Sequence, residues 1–371
     1  MTRQKIQRLE KFIVAHKGIV VIIRRIPPEI IQIIFQWLSA ILRWEAKLEP
    51  KWALPFAYGQ ICSSWRDIAL SVHSLWSLFP EIRKLKTRIG KGRQVKYMTE
   101  LLHRSRQSPI QFSIDVGNWN EDQYLIRDLL IQSSGRWQVV NIRGTTREIC
   151  VFCRQIQGHI PNLESLEISA FFSREIFHPL DIFETAPKLR EVKLSGYETS
   201  DIKLPTHQLI DFSSLTSYNR NPLSPLINAH HLENLTYGAW KPVPIININM
   251  ISLPNLKRLH VQVHPSPPSI LDFLTIPILE CLHISVMVMR AVDTTLLRSL
   301  VKMASRSELG NLPHLRELRI WSRSNEMREG FDDLLRLTPA LRVLEIPIPS
   351  PRDTYTHSRI NEPLPMASLA G

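Results

Sequence analysis

Glycine is scarce in this chain, with 13 in 371 residues. A loop that cradles phosphate needs closely spaced glycines, and no Gly-x-Gly-x-x-Gly or Gly-x-x-x-x-Gly-Lys run occurs. His-Glu-x-x-His and Gly-x-Ser-x-Gly are also absent. No catalytic residue is therefore assigned, and no enzyme is expected. Cysteine is scarcer still: Cys62, Cys150, Cys153 and Cys281. Cys150 and Cys153 form one Cys-x-x-Cys, but a structural zinc site needs about four ligands and no second pair exists. Their flanks, "REICVFCRQI", have helical apolar spacing, so both are expected in a core; no metal and no cofactor is assigned. So few cysteines suit a reducing compartment, cytoplasm or nucleus. Long apolar runs are missing too. "GIVVII" (18–23) falls far short of the roughly 20 residues of a membrane span. It lacks a small-residue cleavage site and runs straight into Arg24 and Arg25, so neither a secretory leader nor a membrane partner is expected. The helical start has too few serines for an organelle-import leader.

Positive charge is plentiful but local. The formal net charge is +12. Residues 1–25 hold seven Lys/Arg against one Glu, and residues 83–106 hold nine against one. Outside them the chain is close to neutral. Such stretches read as solvated faces or, alternatively, as a nucleic-acid surface, which steep salt dependence would reveal.

At the N-terminus, Ile6, Leu9, Phe12, Ile13 and Val20 recur at roughly helical spacing, predicting an amphipathic helix within residues 1–24. "IPPEIIQIIFQWL" (26–38) follows. Pro27 and Pro28 suit a helix entrance, and Glu29 suits its first turn. Ile30, Ile31, Ile33, Ile34, Phe35, Trp37 and Leu38 then cover more than the single apolar stripe a core-facing helix needs. In "LPFAYGQICSSWRDIALSVHSLWSLF" (54–79), Ile61, Trp65, Ile68 and Ala69 read as one helical stripe, closed by Trp76 and Phe79. Two or three short helices with a thin core are predicted, a unit that a partner would complete.

These residues resemble an F-box. That motif runs Leu-Pro-x-Glu-hydrophobic-hydrophobic, then a Val-Cys-x-x-Trp-Arg helix, then Leu-Trp. Here Ile26, Pro27, Glu29, Ile30, Ile33, Phe35 and Leu38 match the first part. Ile61, Cys62, Trp65 and Arg66 match the second, and Leu75 and Trp76 the last. The resemblance spans residues 25–79. It implies docking on the Skp-type adaptor of a cullin ubiquitin ligase through Ile26, Pro27, Ile30, Ile33, Ile61 and Trp65. The surplus apolar face would then belong to the adaptor.

Further on, a phrase recurs: Pro-x-Leu-x-x-Leu-x-Ile. Clear copies are "PNLESLEI" (161–168), "PKLREVKL" (187–194), "PNLKRLHV" (254–261), "PILECLHI" (277–284), "PHLRELRI" (313–320) and "PALRVLEI" (339–346). Weaker ones are "RWQVVNI" (136–142), "HLENLTY" (231–237) and "SSLTSYN" (213–219). Leu-x-x-Leu-x-Leu at a period of about 20–29 is the leucine-rich-repeat phrase. Its three apolar residues face inward and stack on the next turn, because one turn cannot bury them alone. Residues between them form a strand on the concave face: Ser165 and Glu167, Glu191 and Lys193, Arg258 and His260, Cys281 and His283, Glu317, Arg319 and Trp321, Val343 and Glu345. The asparagine usual after the phrase is missing and the spacing is uneven, so an irregular arc with outer helices such as "FDDLLRLT" (331–338) is predicted. His230 and His231 read as loop.

The expected fold class is α+β of the repeat type. A helical F-box (25–79) precedes an irregular leucine-rich-repeat solenoid, a horseshoe-like α/β arc (131–346). Residues 80–130 form a linker and capping turn, in which "KYMTELLHRSRQSPIQFSID" reads helix, turn, strand. Residues 347–371 are a Pro/Ser-rich tail, expected to be disordered. This order is similar to the expanded fungal F-box family. The resemblance implies a substrate-recruiting adaptor subunit that binds a Skp-type adaptor, through it a cullin, and an unidentified protein to be ubiquitinated. The substrate face would comprise Glu167, Glu191, Lys193, Arg258, His260, His283, Glu317, Arg319 and Trp321.

Overall fold

The structure, a computed structural model, describes residues 5–13, 26–44, 54–82, 92–117, 119, 121–156, 160–171, 180–197, 199–216, 224–239, 250–263, 270–286, 295–306, 311–321 and 331–345. Parts of the expected N-terminal helix, of the basic linker and of "SSLTSYN", together with the whole tail 347–371, lie outside them. The chain is mixed α/β with a ten-stranded parallel sheet. It divides into two compact units: residues 1–166 with 186–188, and residues 167–185 with 189–371.

In the first unit, residues 5–13 are helical (α1). Next come α2 (Pro28–Trp44), α3 (Leu54–Ile61) and α4 (Ser63–Ser71). Pro28 opens α2 where a missing N–H leaves nothing unpaired. Ile30 and Ile31 donate to the Pro27 carbonyl at 3.0 and 3.2 Å. Between α3 and α4, Cys62 is extended, with φ −159° and ψ 169°. That break overturns one expectation: Ile61 ends α3, while Trp65, Ile68 and Ala69 belong to α4, so the four do not form one helical stripe. The core here is aromatic. Phe35 stacks on Tyr58 with centroids 4.3 Å apart and meets the edge of Trp65 at 5.2 Å. Trp76 is buried, donates Nε1–H to the Ala69 carbonyl at 2.8 Å and meets Phe56 edge-on.

Helix α5 (Arg93–Ser105) locks onto this cluster. Its Arg104 guanidinium lies 4.4 Å from the Trp76 ring centroid and 5.0 Å from that of Phe56. A cation held over aromatic faces stabilises by about 0.5–2 kcal/mol, depending on desolvation. Strand β1 (Ile110–Asp115) follows, as the helix-turn-strand reading expects, and pairs in parallel with β2 (Trp137–Thr145). Residues 77–82 run beside β1: Phe79 and Ile82 donate to the Gln111 and Ser113 carbonyls at 2.8 Å each. Backbone hydrogen bonds thus carry the helical segment into the sheet. Between these strands lies α6 (Glu121–Gln132), and after β2 comes α7 (Thr146–Arg154). Thr145 and Glu148 start α7 with a reciprocal capping box.

The remaining strands are β3 (Ser165–Phe171), β4 (Glu191–Ser195), β5 (Asp211–Thr216), β6 (Asn234–Ala239), β7 (Ile251–Ser252), β8 (Arg258–Val263), β9 (Leu274–Thr275), β10 (Cys281–Val286), β11 (Glu317–Trp321) and β12 (Val343–Glu345). Helices α8 (Thr295–Ser305) and α9 (Phe331–Arg336) complete the elements among the described residues; α9 falls within the predicted outer segment. Strand order is β1-β2-β3-β4-β5-β6-β8-β10-β11-β12, with β7 and β9 as a separate pair.

One backbone pattern repeats through the second unit. A single carbonyl accepts two consecutive N–H groups of the next strand. Arg190 O serves Ile210 and Asp211, Ile210 O serves Glu233 and Asn234, and Glu233 O serves Lys257 and Arg258. Lys257, Glu280 and Arg316 continue the series. Behind each strand the phrase's apolar triplet is buried: Leu189, Val192 and Leu194; Leu232, Leu235 and Tyr237; Leu256, Leu259 and Val261; Leu279, Leu282 and Ile284; Leu315, Leu318 and Ile320. Each such side chain gains about 1.5–3 kcal/mol on burial.

Two copies depart from the expectation. In the weak "SSLTSYN" copy the register is earlier, with Leu209, Phe212 and Ser214 facing inward. Ser214 is fully buried and its hydroxyl has no hydrogen-bond partner. In "PALRVLEI" the two inward leucines are not fully buried: Leu344 is exposed and Leu341 half-exposed, while Ile346 lies outside the described residues. The reason is positional, since β12 is the last strand of the sheet and no further described turn stacks on it.

Two stability outcomes follow from this packing. Gly196 has φ +67°, and a Cβ there would lie 2.2 Å from the Ala170 carbonyl oxygen. Gly196→Ala should lose at least about 2 kcal/mol in urea titration. Gly135→Ala, whose Cβ meets nothing within 4 Å, should change stability by less than about 1 kcal/mol. Ser214→Ala should instead gain about 1 kcal/mol by removing an unpaired buried hydroxyl.

Candidate functional site

Two surfaces carry the residues singled out in the sequence, one in each unit. The first is on α2. At 100° per residue, Ile31 and Phe35 fall on one side of the helix and Ile30, Ile33, Ile34 and Trp37 on another, with Leu38 at the border between them. The first side is closed, and Phe35 is 0% exposed under Tyr58 and Trp65. The second is open: Ile33 is 54% and Trp37 69% exposed, with Ile30, Ile34 and Leu38 also exposed. At the helix entrance Ile26 is half-buried and Pro27 exposed. Ile61 is 58% exposed at the end of α3. Trp65 differs from the others: it is half-buried with its edge against Phe35, so it supports the fold as much as it offers a surface. Ile26, Pro27, Ile30 and Ile33 thus share the entrance and open side of α2. Ile34 and Trp37 extend that side, with Leu38 at its border, and were not among the residues expected there; the signal for Ile34 and Trp37 is the i, i+3, i+4, i+7 spacing from Ile30.

The second surface is the face of the sheet opposite the buried triplets, in the second unit. Parallel pairing in register sets the side chains in rows. One row reads Glu191, Asp211, Asn234, Arg258, Cys281, Glu317, Val343, and the next Lys193, Ser213, Thr236, His260, His283, Arg319, Glu345. A third ends with Gln262, Ser285 and Trp321, which is 52% exposed.

Most charges on this face are already met by neighbours. Glu191 takes a hydrogen bond from Lys193 at 2.5 Å. That bond, with the nearby charge of Glu191, Glu167 and Asp211, raises the Lys193 ammonium above its usual range despite burial. Arg258 Nε donates to Asn234 Oδ1 at 2.5 Å, and Asn234 donates in turn to Asp211. Glu317 is the hub of the other end. It lies 3.1 Å from His283 Nε2, 2.5 Å from Arg319 Nε and 3.6 Å from Cys281 Sγ. The His283 hydrogen bond first, and Arg319 after it, hold the Glu317 carboxylate below its usual range. Arg319 also reaches Glu345 at 3.3 Å. His260 sits across from His283, ring centroids 6.1 Å apart, and contacts Ser285 Oγ at 3.4 Å.

Of the expected face, Arg258, His260, His283, Glu317, Arg319 and Trp321 therefore fall on adjoining strands. Glu167, Glu191 and Lys193 form a separate group with Asp211. Asp211, Asn234, Gln262 and Ser285 were missed. Asp211 and Asn234 occupy in the weak copies the position that Glu191 and Arg258 hold in the clear ones.

Among the described residues no group of three His, Cys, Asp or Glu is placed to hold a metal ion. Cys150 and Cys153 are buried within α7. Burial first, and Cys150 beside it, push the Cys153 thiol far above its usual range, which suits a core side chain rather than a reactive one. His230 lies in a turn, where its carbonyl accepts from Asn255 Nδ2 at 2.7 Å. Asn162 makes the matching bond to the Gly135 carbonyl at 2.8 Å. An asparagine inside the phrase, not after it, thus ties successive turns in these two copies. No described helix is long and apolar enough to cross a membrane. Neither family models, nor curated proteins, nor solved structures give a match to this chain.

Burial, and His283 beside it, lower the His260 pKa from its ordinary value of 6.5. The folded state then binds this proton less readily than the unfolded chain. Stability from this site is thus complete above about pH 6.5 and falls as the pH drops through that value. Melting temperature measured between about pH 5 and 7 should decline towards acid, and His260→Gln should flatten that slope.

Proposed function

We propose that this chain is an F-box-type substrate receptor. Its N-terminal helices seat a Skp-type adaptor, and through it a cullin ubiquitin ligase. The sheet face of the second unit holds the protein to be ubiquitinated. The observation that carries the reading is the open apolar side of α2, with Ile33 and Trp37 more than half exposed beside a fully closed Phe35. A helix of this amphipathic kind normally keeps one side in water. Here both sides are apolar, and the open one lies within the stretch that resembles the F-box.

The repeat phrase supports the second half. In-register parallel strands with a buried apolar triplet behind most of them, joined turn to turn by backbone hydrogen bonds, are what a stacked leucine-rich-repeat arc would need. Its open face offers hydrogen-bonding side chains and the exposed aromatic Trp321, the composition of a protein-recognition surface. On this reading the chain performs no bond chemistry. It raises the effective concentration of a target lysine near the ligase's charged enzyme.

The test is co-purification of the full chain with a Skp-type adaptor. Wild type should carry the adaptor in stoichiometric amount. Ile33→Asp, on an open surface, should keep its melting temperature yet bind at least about 30-fold more weakly, as expected of an interface anchor worth about 2 kcal/mol. A well-folded wild type that emerges alone, or an Ile33→Asp chain that binds as well as wild type, removes the reading.

A further inference from the structure

A second exposed apolar surface lies on α1, and the adaptor reading does not use it. All nine residues of 5–13 are exposed. At 100° per residue, Ile6, Leu9, Phe12 and Ile13 fall within an arc of about 120°. Gln7, Arg8, Glu10 and Lys11 fill the rest, and Lys5 stands at the helix start, where its long stem lets the ammonium reach past the apolar arc. Three cations against one anion leave this short helix net positive.

We propose that α1 is a surface anchor for anionic lipid. Charge and apolarity on one small helix select the occupant. Nucleic acid would reward Lys5, Arg8 and Lys11 but leaves Ile6, Leu9, Phe12 and Ile13 in water. An apolar protein groove would reward the arc but not the cations. An anionic lipid layer takes both at once, burying the arc at the acyl boundary while the cations meet headgroups. Lying in the interface asks for an amphipathic helix and not a spanning one. The anchor would place the receptor beside membrane-bound targets, independently of whether the α2 face holds an adaptor.

The experiment is vesicle co-sedimentation of the full chain. One set of vesicles is phosphatidylcholine alone; the other contains about one third phosphatidylserine. Binding is expected to the anionic set, weakening as salt rises, with little to the neutral set. Arg8→Glu/Lys11→Glu should weaken it at least about tenfold, since each cation near an anionic surface is worth about fivefold. Leu9→Glu/Ile13→Glu should abolish it with the melting temperature unchanged, because both side chains are exposed. The proposal fails if the chain ignores anionic vesicles, if it binds both sets equally, or if the Leu9→Glu/Ile13→Glu chain still binds. Capture of the chain by an acidic peptide, with anionic vesicles ignored, would assign α1 to a protein partner and overturn it equally.

Discussion

The sheet in the second unit depends on one constraint: a turn of this chain cannot bury its own apolar triplet. Leu256, Leu259 and Val261 project from one side of a six-residue strand, and only the turns before and after can cover them. Each turn therefore needs its neighbours in register. The carbonyl series from Arg190 to Arg316 enforces that register, because one oxygen receives two N–H groups of the next strand every time. A slip by one residue would swap the two faces, exposing every triplet at once. Burial and backbone bonding thus specify the same alignment.

The polar rows follow from that alignment. Parallel strands in register set equivalent residues side by side, so a position that varies from copy to copy becomes a row of mixed chemistry. Arg258 beside Asn234, and Glu317 beside Cys281 and Val343, are consequences of spacing rather than of any local preference. Neighbours then settle their charges among themselves, as Glu317 does with His283 and Arg319. Trp321 stands at the end of its row and remains half in water. A partner on this face would meet a largely satisfied polar surface with Trp321 as an aromatic anchor.

How far the sequence discloses this depends on how well each copy keeps the phrase. Strands β8, β10 and β11 are plain, because Pro, both leucines and a final Ile or Val are all present. Strand β5 is obscured because Ser214 takes the third apolar place and no proline opens the copy, which shifts its apparent register. Helix α6 shows little signal: Ile126 and Leu130 are buried while Tyr124 and Leu125 face outward, so no single apolar stripe appears. On α2 the excess of apolar residues is legible. Which side would close is not, since that depends on Tyr58 and Trp65, more than twenty residues away. That Ile61 and Trp65 read as one helix has a nearer cause. The extended backbone at Cys62 is a local fact that apolar periodicity does not register.

The α2 face cannot be an accident of orientation. Rotating the helix to bury Ile33 and Trp37 would bring Ile31 and Phe35 into water and dismantle the Phe35 stack with Tyr58 and Trp65. The exchange gains nothing, because large apolar side chains stand on both sides. With five of them open on one helix, each leaves unrealised a part of the about 1.5–3 kcal/mol that full burial gives. A patch of this kind on an isolated chain favours self-association, and natural surfaces rarely keep one without a use. The helices around it are already engaged: α4 packs through Trp65, and α5 through Arg104 over Trp76. Among the described residues, then, α2 sets an exposed apolar side next to a closed one, and it is the packing of Phe35 under Tyr58 and Trp65 that decides which side stays open.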